Sequence, residues 1–302
     1  MVDSNGKIIE YGKFPLELKN SDSPNAAKKK VLSIMRTACI DYKMRFPLET
    51  SAKNFAGIGL ASAGPLNVEK GELIDPSNFS GWKRFKIVDE LKNILKASGW
   101  SPPLFFQNDA IAAAFAEKWL GSAQDCKSFV VITVGTGIGT GVIFNGQPCQ
   151  TEGMGSEWGH LLIDCKGLQK SNSGITDFTV EGIASGTALL KRAQLCGFSG
   201  KSVEELVTVN SKTKKYDFLF EDMAWALASL CYSLSLGFHL DKILFSGGLI
   251  KVKELYLERT KKLYNEMIRE KNPTFQAPII VAKAGNRAGV LGAASLPYLL
   301  ID

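Results

Sequence analysis

The sequence predicts a two-domain α/β protein, and three observations carry that expectation. Strand-like and helix-like segments alternate along the first part of the chain, the pattern that yields sheets covered by helices. At 302 residues the chain exceeds the usual size of a single core, so two domains of roughly 100 to 180 residues are expected. Its 45% hydrophobic and 22% charged residues are the balance of a globular protein, not of a disordered or fibrous one.

The opening residues Val2 to Ile9, with Asn5-Gly6 between them, read as two strand ends joined by a hairpin turn. Asp22-Ser23-Pro24 is a cap followed by a proline, and Ala27, Val31, Ile34, Ala38 and Tyr42 recur at helical spacing to about Arg45. Phe55 to Leu60 is a strand running into Ala61-Ser62-Ala63-Gly64-Pro65, Phe85 to Ala97 a helix, and Leu104 to Phe106 a short strand. Asn108-Asp109 opens an alanine-rich helix to Trp119, and Gly121-Ser122 marks the domain boundary. Phe129 to Val134 is strongly β-forming, Gly135 to Gly141 is a turn, and Val142 to Phe144 resumes as a strand. Helices are expected at Ile183–Gln194, Glu221–Leu236, Val252–Arg269 and Ala288–Leu300, with strands at Lys242–Phe245 and Ile279–Ala282.

Composition excludes several classes. The net charge of +6 comes from scattered residues and not from a basic arm, so nucleic acid is not an expected partner, and the lysines at 28–30 and 212–215 read as solvated surface. The six cysteines lack ligand-like spacing, which fits free thiols in a reducing cytoplasm. The uncharged run Trp225 to Leu240 is too short and too often interrupted to span a bilayer, and it reads as a buried helix.

The densest chemical signal is Gly135-Thr136-Gly137-Ile138-Gly139-Thr140-Gly141. Four glycines in seven residues let backbone amides approach an anion as a nest, with Thr133, Thr136 and Thr140 adding hydroxyls. It is neither a Walker loop nor a dinucleotide fingerprint, and a plain glycine hairpin explains it too. Asn108-Asp109 is either a helix cap or a carboxylate at a strand end able to accept a proton from an attacking hydroxyl, and both can hold. Glu157 and His160, three residues apart, could bind adjacent polyol hydroxyls or share a metal. A zinc site needs more ligands than His160 and Cys165 supply. His239 reads as a core or helix-end histidine, and Ser246-Gly247-Gly248 as a turn suited to backbone approach to a ligand.

Taken in order, Gly57-Ile58-Gly59-Leu60-Ala61-Ser62-Ala63-Gly64-Pro65, Pro76-Ser77-Asn78, Asn108-Asp109, Thr133 to Gly139, Glu157-Trp158-Gly159-His160, Glu181 to Gly186 and Ser246-Gly247-Gly248 resemble the ROK family of sugar kinases and related repressors, over nearly the whole chain. The resemblance implies the actin-like ATPase (ribonuclease H-like) fold, two α/β domains, 1–120 and 121–287, with an interdomain cleft and the helix 288–302 returning to the first. It implies ATP-dependent, glucokinase-like phosphorylation of a hexose to its 6-phosphate, with Mg²⁺ on the phosphates, in the cytoplasm, by a family-like homodimer. It makes Asp109 the catalytic base and puts Asn78, Asn108, Glu157, His160 and Glu181 around the sugar. Gly135, Thr136, Gly137 and Gly139 would face the nucleotide phosphates, and Gly247 and Gly248 the adenosine.

Two departures qualify that expectation. The family's His-plus-cysteine zinc cluster is reduced to His160 and an unmatched stretch from Cys165 to Gly174, so no zinc is expected. The family's opening Asp-x-Gly-Gly-Thr phosphate loop does not occur, so the chain is expected to begin in mid-sheet. The alternative function is therefore a catalytically impaired sugar-binding ROK protein. A polyphosphate donor is a variation on the kinase, and a repressor would need a DNA-binding segment ahead of Asp3.

Overall fold

A computed structural model describes residues 1–302 except 17–22, 52, 77–80, 165–177 and 301–302, together with the side chains of 271 and 286. The chain forms two compact units: Met1–Leu120 with Gln150–Gly155 and Arg287–Asp302, and Gly121–Cys149 with Ser156–Asn286.

The first unit holds helix Pro24–Arg45, β1 (Ile58–Ser62), β2 (Leu66–Asn67), β3 (Glu72–Leu73), helix Ile87–Ala97, β4 (Leu104–Asn108) and helix Asp109–Trp119, joined by helix Ala288–Leu299. Ser23 caps the first helix by accepting from the Ala26 N–H, and Pro24 has no N–H to lose there. Helix Ile87–Ala97 buries Ile87, Val88, Leu91 and Leu95, one stripe of its surface. Strands β1 and β4 pair in parallel, from Ile58 opposite Leu104 to Ser62 opposite Asn108. Trp82, Leu66, Leu73, Leu32 and Phe106 fill a core of this unit. A Cβ on Gly59 would collide with the Ala293 carbonyl, and one on Gly292 with the Ala112 carbonyl, so helix Ala288–Leu299 lies directly on β1 and on helix Asp109–Trp119. The expected opening hairpin consists of a single bridge, Val2 to Ile8, around a turn in which Asp3 Oδ1 accepts from the N–H groups of Asn5 and Lys7.

Residues 150–155 fall within the second expected segment, 121–287, yet they pack with the first unit. The Val68 N–H donates to the Glu152 carbonyl at 2.7 Å, and Asn67 Nδ2 donates to the Glu152 carboxylate at 2.5 Å.

The second unit is built on a five-stranded sheet of β5 (Phe129–Val134), β6 (Ile138–Phe144), β7 (Gln147–Pro148), β8 (Lys242–Ser246) and β9 (Ile279–Val281), in the order β7-β6-β5-β8-β9. β5 and β6 are antiparallel, and β5, β8 and β9 run parallel. The turn between β5 and β6 is much shorter than expected, because Gly139 and Gly141 pair with Thr133 and Val131 and so belong to β6. The helix expected over 183–194 is two helices, Val180–Ala184 and Gly186–Leu195: Ser185 is extended (ψ 159°) and caps the second by accepting from the Ala188 N–H. Helix Val203–Thr213 was not anticipated, although Ser202 with Glu205 is a near capping box, Ser202 Oγ accepting from the Glu205 N–H. Helix Asp217–Phe238 buries Leu219, Phe220, Met223, Leu227, Leu230, Cys231 and Leu234 against the sheet's core cluster. Among the described residues no helix is long and apolar enough to cross a membrane. The single helix expected over 252–269 is a 3₁₀ segment, Gly248–Leu255, followed by helix Leu257–Lys271.

Candidate active site

In the first unit, β4 delivers Asn108 and Asp109 to its carboxyl end, where parallel sheets hold ligands. Of the two readings of this pair, the structure shows the cap. Asn108 is the cap, its Oδ1 accepting from the N–H groups of Ala110 (2.9 Å) and Ile111 (3.3 Å). Asp109 begins the helix with its surface exposed to water. Even so, the protein around it desolvates the carboxyl enough to raise its pKa above the ordinary carboxylate value, against the opposing pull of hydrogen bonds from the backbone N–H groups of Ala110 and Asp109 itself. Desolvation of this kind makes the ionised carboxylate a stronger proton acceptor than a free aspartate. Gln107, just before the pair, carries no signal in the sequence; it is buried and accepts from the Asn108 N–H. Asn78 lies outside the described residues.

In the second unit, the hairpin Gly135–Gly137 is held from several sides. The Gly135 N–H donates to the Gly137 carbonyl (3.0 Å), the Ile138 N–H to Glu181 Oε2 (2.7 Å), and the Gly139 N–H to Thr133 Oγ1 (3.2 Å). The carbonyls of Gly135 and Thr136 accept from the N–H groups of Gly186 and Thr187, so the hairpin also caps helix Gly186–Leu195. None of Gly135, Gly137, Gly139 and Gly141 has positive φ, and the alternating backbone of an anion nest is therefore not formed. The glycines answer to space: a Cβ on Gly137 would lie 2.5 Å from Glu181 Oε2. Thr136 is the exposed hydroxyl of the loop. Thr140 is not a free donor, because it is buried, donates to the Ser156 carbonyl and accepts from the Trp158 N–H.

Glu157 caps and His160 closes a 3₁₀ turn, Trp158–His160, in which the His160 N–H donates to the Glu157 carbonyl and both residues are exposed. Gly159 backs onto the Ile138 carbonyl, where a Cβ would not fit. Ile138 therefore has the Glu181 carboxylate on its N–H and the Glu157–His160 turn against its carbonyl, which gathers three of the expected sugar residues around the root of the hairpin. Gly247, at φ +96°, abuts the Val134 backbone so closely that only glycine fits, and a Cβ on Gly135 would stand 3.8 Å from the Gly248 N–H nitrogen. The two glycine segments thus meet at the carboxyl ends of the neighbouring strands β5 and β8. His239 is an exposed helix-end residue, the left-handed C-cap of helix Asp217–Phe238. Among the described residues no group of three or more His, Cys, Asp and Glu could hold a metal ion, and Cys165 lies outside them.

The chain and its fold are similar to known proteins. The ROK family model covers residues 21–298, and the chain belongs to the ROK family. It is 29% identical over 273 residues to a fructokinase of Pediococcus pentosaceus, an alignment covering 85% of this chain and 82% of that protein. Among solved structures it is similar to the ROK hexokinase from Thermus thermophilus, with a TM-score of 0.75 and 29% identity, covering 90% of this chain and 87% of the other. It also shares its fold with a ROK family glucokinase from Streptomyces griseus in complex with glucose and AMPPNP, at a TM-score of 0.72 and 21% identity, covering 98% and 93% of the two chains. The fold is the actin-like ATPase fold.

Proposed function

We propose that this chain is an ATP-dependent sugar kinase that transfers a phosphoryl group to a hexose hydroxyl, in a glucokinase-like reaction giving the 6-phosphate, in the cytoplasm. The observation that carries the reading is Asp109, an exposed carboxylate of raised pKa at a strand's carboxyl end, relieved of capping duty by Asn108. Its role is to take the proton of the attacking hydroxyl and hold that oxygen in line. The Asn108 amide NH₂, Asn78, Glu157, His160 and the second oxygen of Glu181 are assigned to the sugar's other hydroxyls. Because Glu181 also holds the Ile138 N–H, sugar recognition is tied to the hairpin assigned to the phosphates.

The nucleotide is assigned to the glycine edge: Gly135, Thr136, Gly137 and Gly139 toward the phosphates, Gly247 and Gly248 toward the adenosine. The fit rests on the exposed Thr136 hydroxyl and on the space around Gly248, where a Cβ would meet nothing within 4 Å. That surface of hydroxyl and backbone suits Mg²⁺ carried on substrate phosphates better than an all-protein cage, and the ion supplies charge neutralisation. Support also comes from the relatives, named as kinases of fructose, glucose and N-acetylmannosamine.

The test is sugar-dependent ADP formation with Mg-ATP over a panel of hexoses and N-acetylhexosamines. We expect turnover that Asp109→Asn lowers by about 10²- to 10⁴-fold while sugar binding persists. Sugar binding without ADP release in the unmodified chain would replace the kinase by a sugar-binding protein. Loss of binding together with turnover would make Asp109 a binding residue.

A further inference from the structure

Two linked side chains at the end of β4, Gln107 and Gln150, are assigned no contact with sugar or nucleotide. Gln107 is buried, with 2% of its surface exposed. Its Oε1 accepts two hydrogen bonds, from the Asn108 N–H at 2.8 Å and from Gln150 Nε2 at 3.0 Å. A backbone N–H can only donate, so it fixes which end of the Gln107 amide faces it, and that oxygen in turn requires the NH₂ end of Gln150. The orientation of both amides is dictated outward from Asn108. The arrangement leaves the Gln150 Oε1 buried without a hydrogen-bond partner in the protein.

Gln150 is itself anchored. It opens the segment Gln150–Gly155, whose Glu152 accepts from the side chain of the buried Asn67 and from the Val68 N–H. Gly153 of the same segment backs onto Leu66 and Val68, with a Cβ landing 2.9 Å from the Val68 nitrogen. The Gln150 amide thus stands on a segment fixed at three points, and it holds Gln107 as a strut would.

We propose that Gln107 and Gln150 are positioning residues for the phosphoryl transfer: through the Asn108 N–H they fix the turn from β4 into helix Asp109–Trp119, and with it the direction of the Asp109 carboxylate. The proposal rests on the kinase reading. Neither glutamine is assigned a contact with sugar or nucleotide, so their loss acts on alignment, which costs rate and not affinity.

Gln107→Leu removes the acceptor and is expected to lower kcat about 10- to 100-fold, with the sugar KM within about twofold of the unmodified value, at a temperature well below the unfolding midpoint. Gln107→Glu keeps a double acceptor in the same place and should restore most of kcat. Gln150→Leu leaves the Asn108–Gln107 bond in place and should lower kcat by less than Gln107→Leu. Amide hydrogen exchange is read on the same proteins: the Asn108 N–H should exchange faster in Gln107→Leu and at the original rate in Gln107→Glu. A lower Tm with unchanged kcat, or a raised KM with unchanged kcat, overturns the proposal. Absence of turnover in the unmodified chain sinks the kinase reading instead, and with it the part the glutamines play in transfer. Exchange at Asn108 then decides whether they fix the turn: lost protection in Gln107→Leu upholds that, and unchanged protection overturns it.

Discussion

Asp109 stands in an environment that opposes its ionised form, and the sign of that effect has two consequences. For a carboxyl whose folded-state pKa lies above its unfolded value, the penalty is absent below the unfolded pKa, grows as pH rises between the two values, and is complete above the folded one. Asp109→Asn should therefore raise Tm at neutral pH, with a gain that shrinks as pH falls through the folded pKa; thermal melts at several pH values check this. The same shift places the acid limb of kcat/KM above the ordinary carboxylate value of about 3.9, which a pH–rate profile reads. Gly137 makes a second residue-scale case. Alanine there would drive its Cβ against Glu181 Oε2, the acceptor of the Ile138 N–H. Losing a hydrogen bond to a charged group costs about 1.5–3 kcal/mol, and urea unfolding of Gly137→Ala should show a loss of that order together with a raised sugar KM.

Among the elements, those with a local signal were legible and those shaped by their neighbours were not. The helix at Pro24 announces itself through Ser23 and the proline, and β5 through Phe129 to Val134, so both stand where their residues put them. The extent of β6 was not legible, because Gly139 and Gly141 look like turn residues until β5 pairs with them. The break at Ser185 was hidden for a similar reason: its extended backbone is set by the hairpin carbonyl that accepts from the Gly186 N–H. Ser185→Ala is expected to cost about 1 kcal/mol as a lost cap, measured by chemical denaturation. Gly59→Ala belongs to the same scale, since it would force helix Ala288–Leu299 off β1. Overpacking of this kind costs about 1–3 kcal/mol or more, and the loss should appear first as faster hydrogen exchange in β1. In the candidate site, Asn108, Asp109, Glu157 and His160 stand out in the sequence by type and spacing. Gln107, Gln150 and the structural use of Thr140 do not, because a lone glutamine or threonine carries no pattern until its partner is in place.

At the scale of the molecule, the first unit depends on chain segments far apart in sequence. Helix Ala288–Leu299 covers β1 at Gly59 and helix Asp109–Trp119 at Ala112, and Trp119 stacks on Tyr298 with ring centroids 5.1 Å apart. Removing residues 288–302 should strip protection from residues 58–62 and 104–119 in hydrogen exchange while β5 and β8 of the second unit keep theirs; equal loss in both units would show that the helix supports the whole chain. The discontinuity also sets an order of events at the ribosome. Met1–Leu120 emerges before the second unit, yet the unit to which it belongs is completed only when helix Ala288–Leu299 follows, after the whole of the second unit has been made. During that interval the nascent chain carries an uncovered β1 and an alanine-rich helix face, surfaces that invite wrong pairings. The unit that carries Asp109 is thus begun before the second unit is translated and closed only after it.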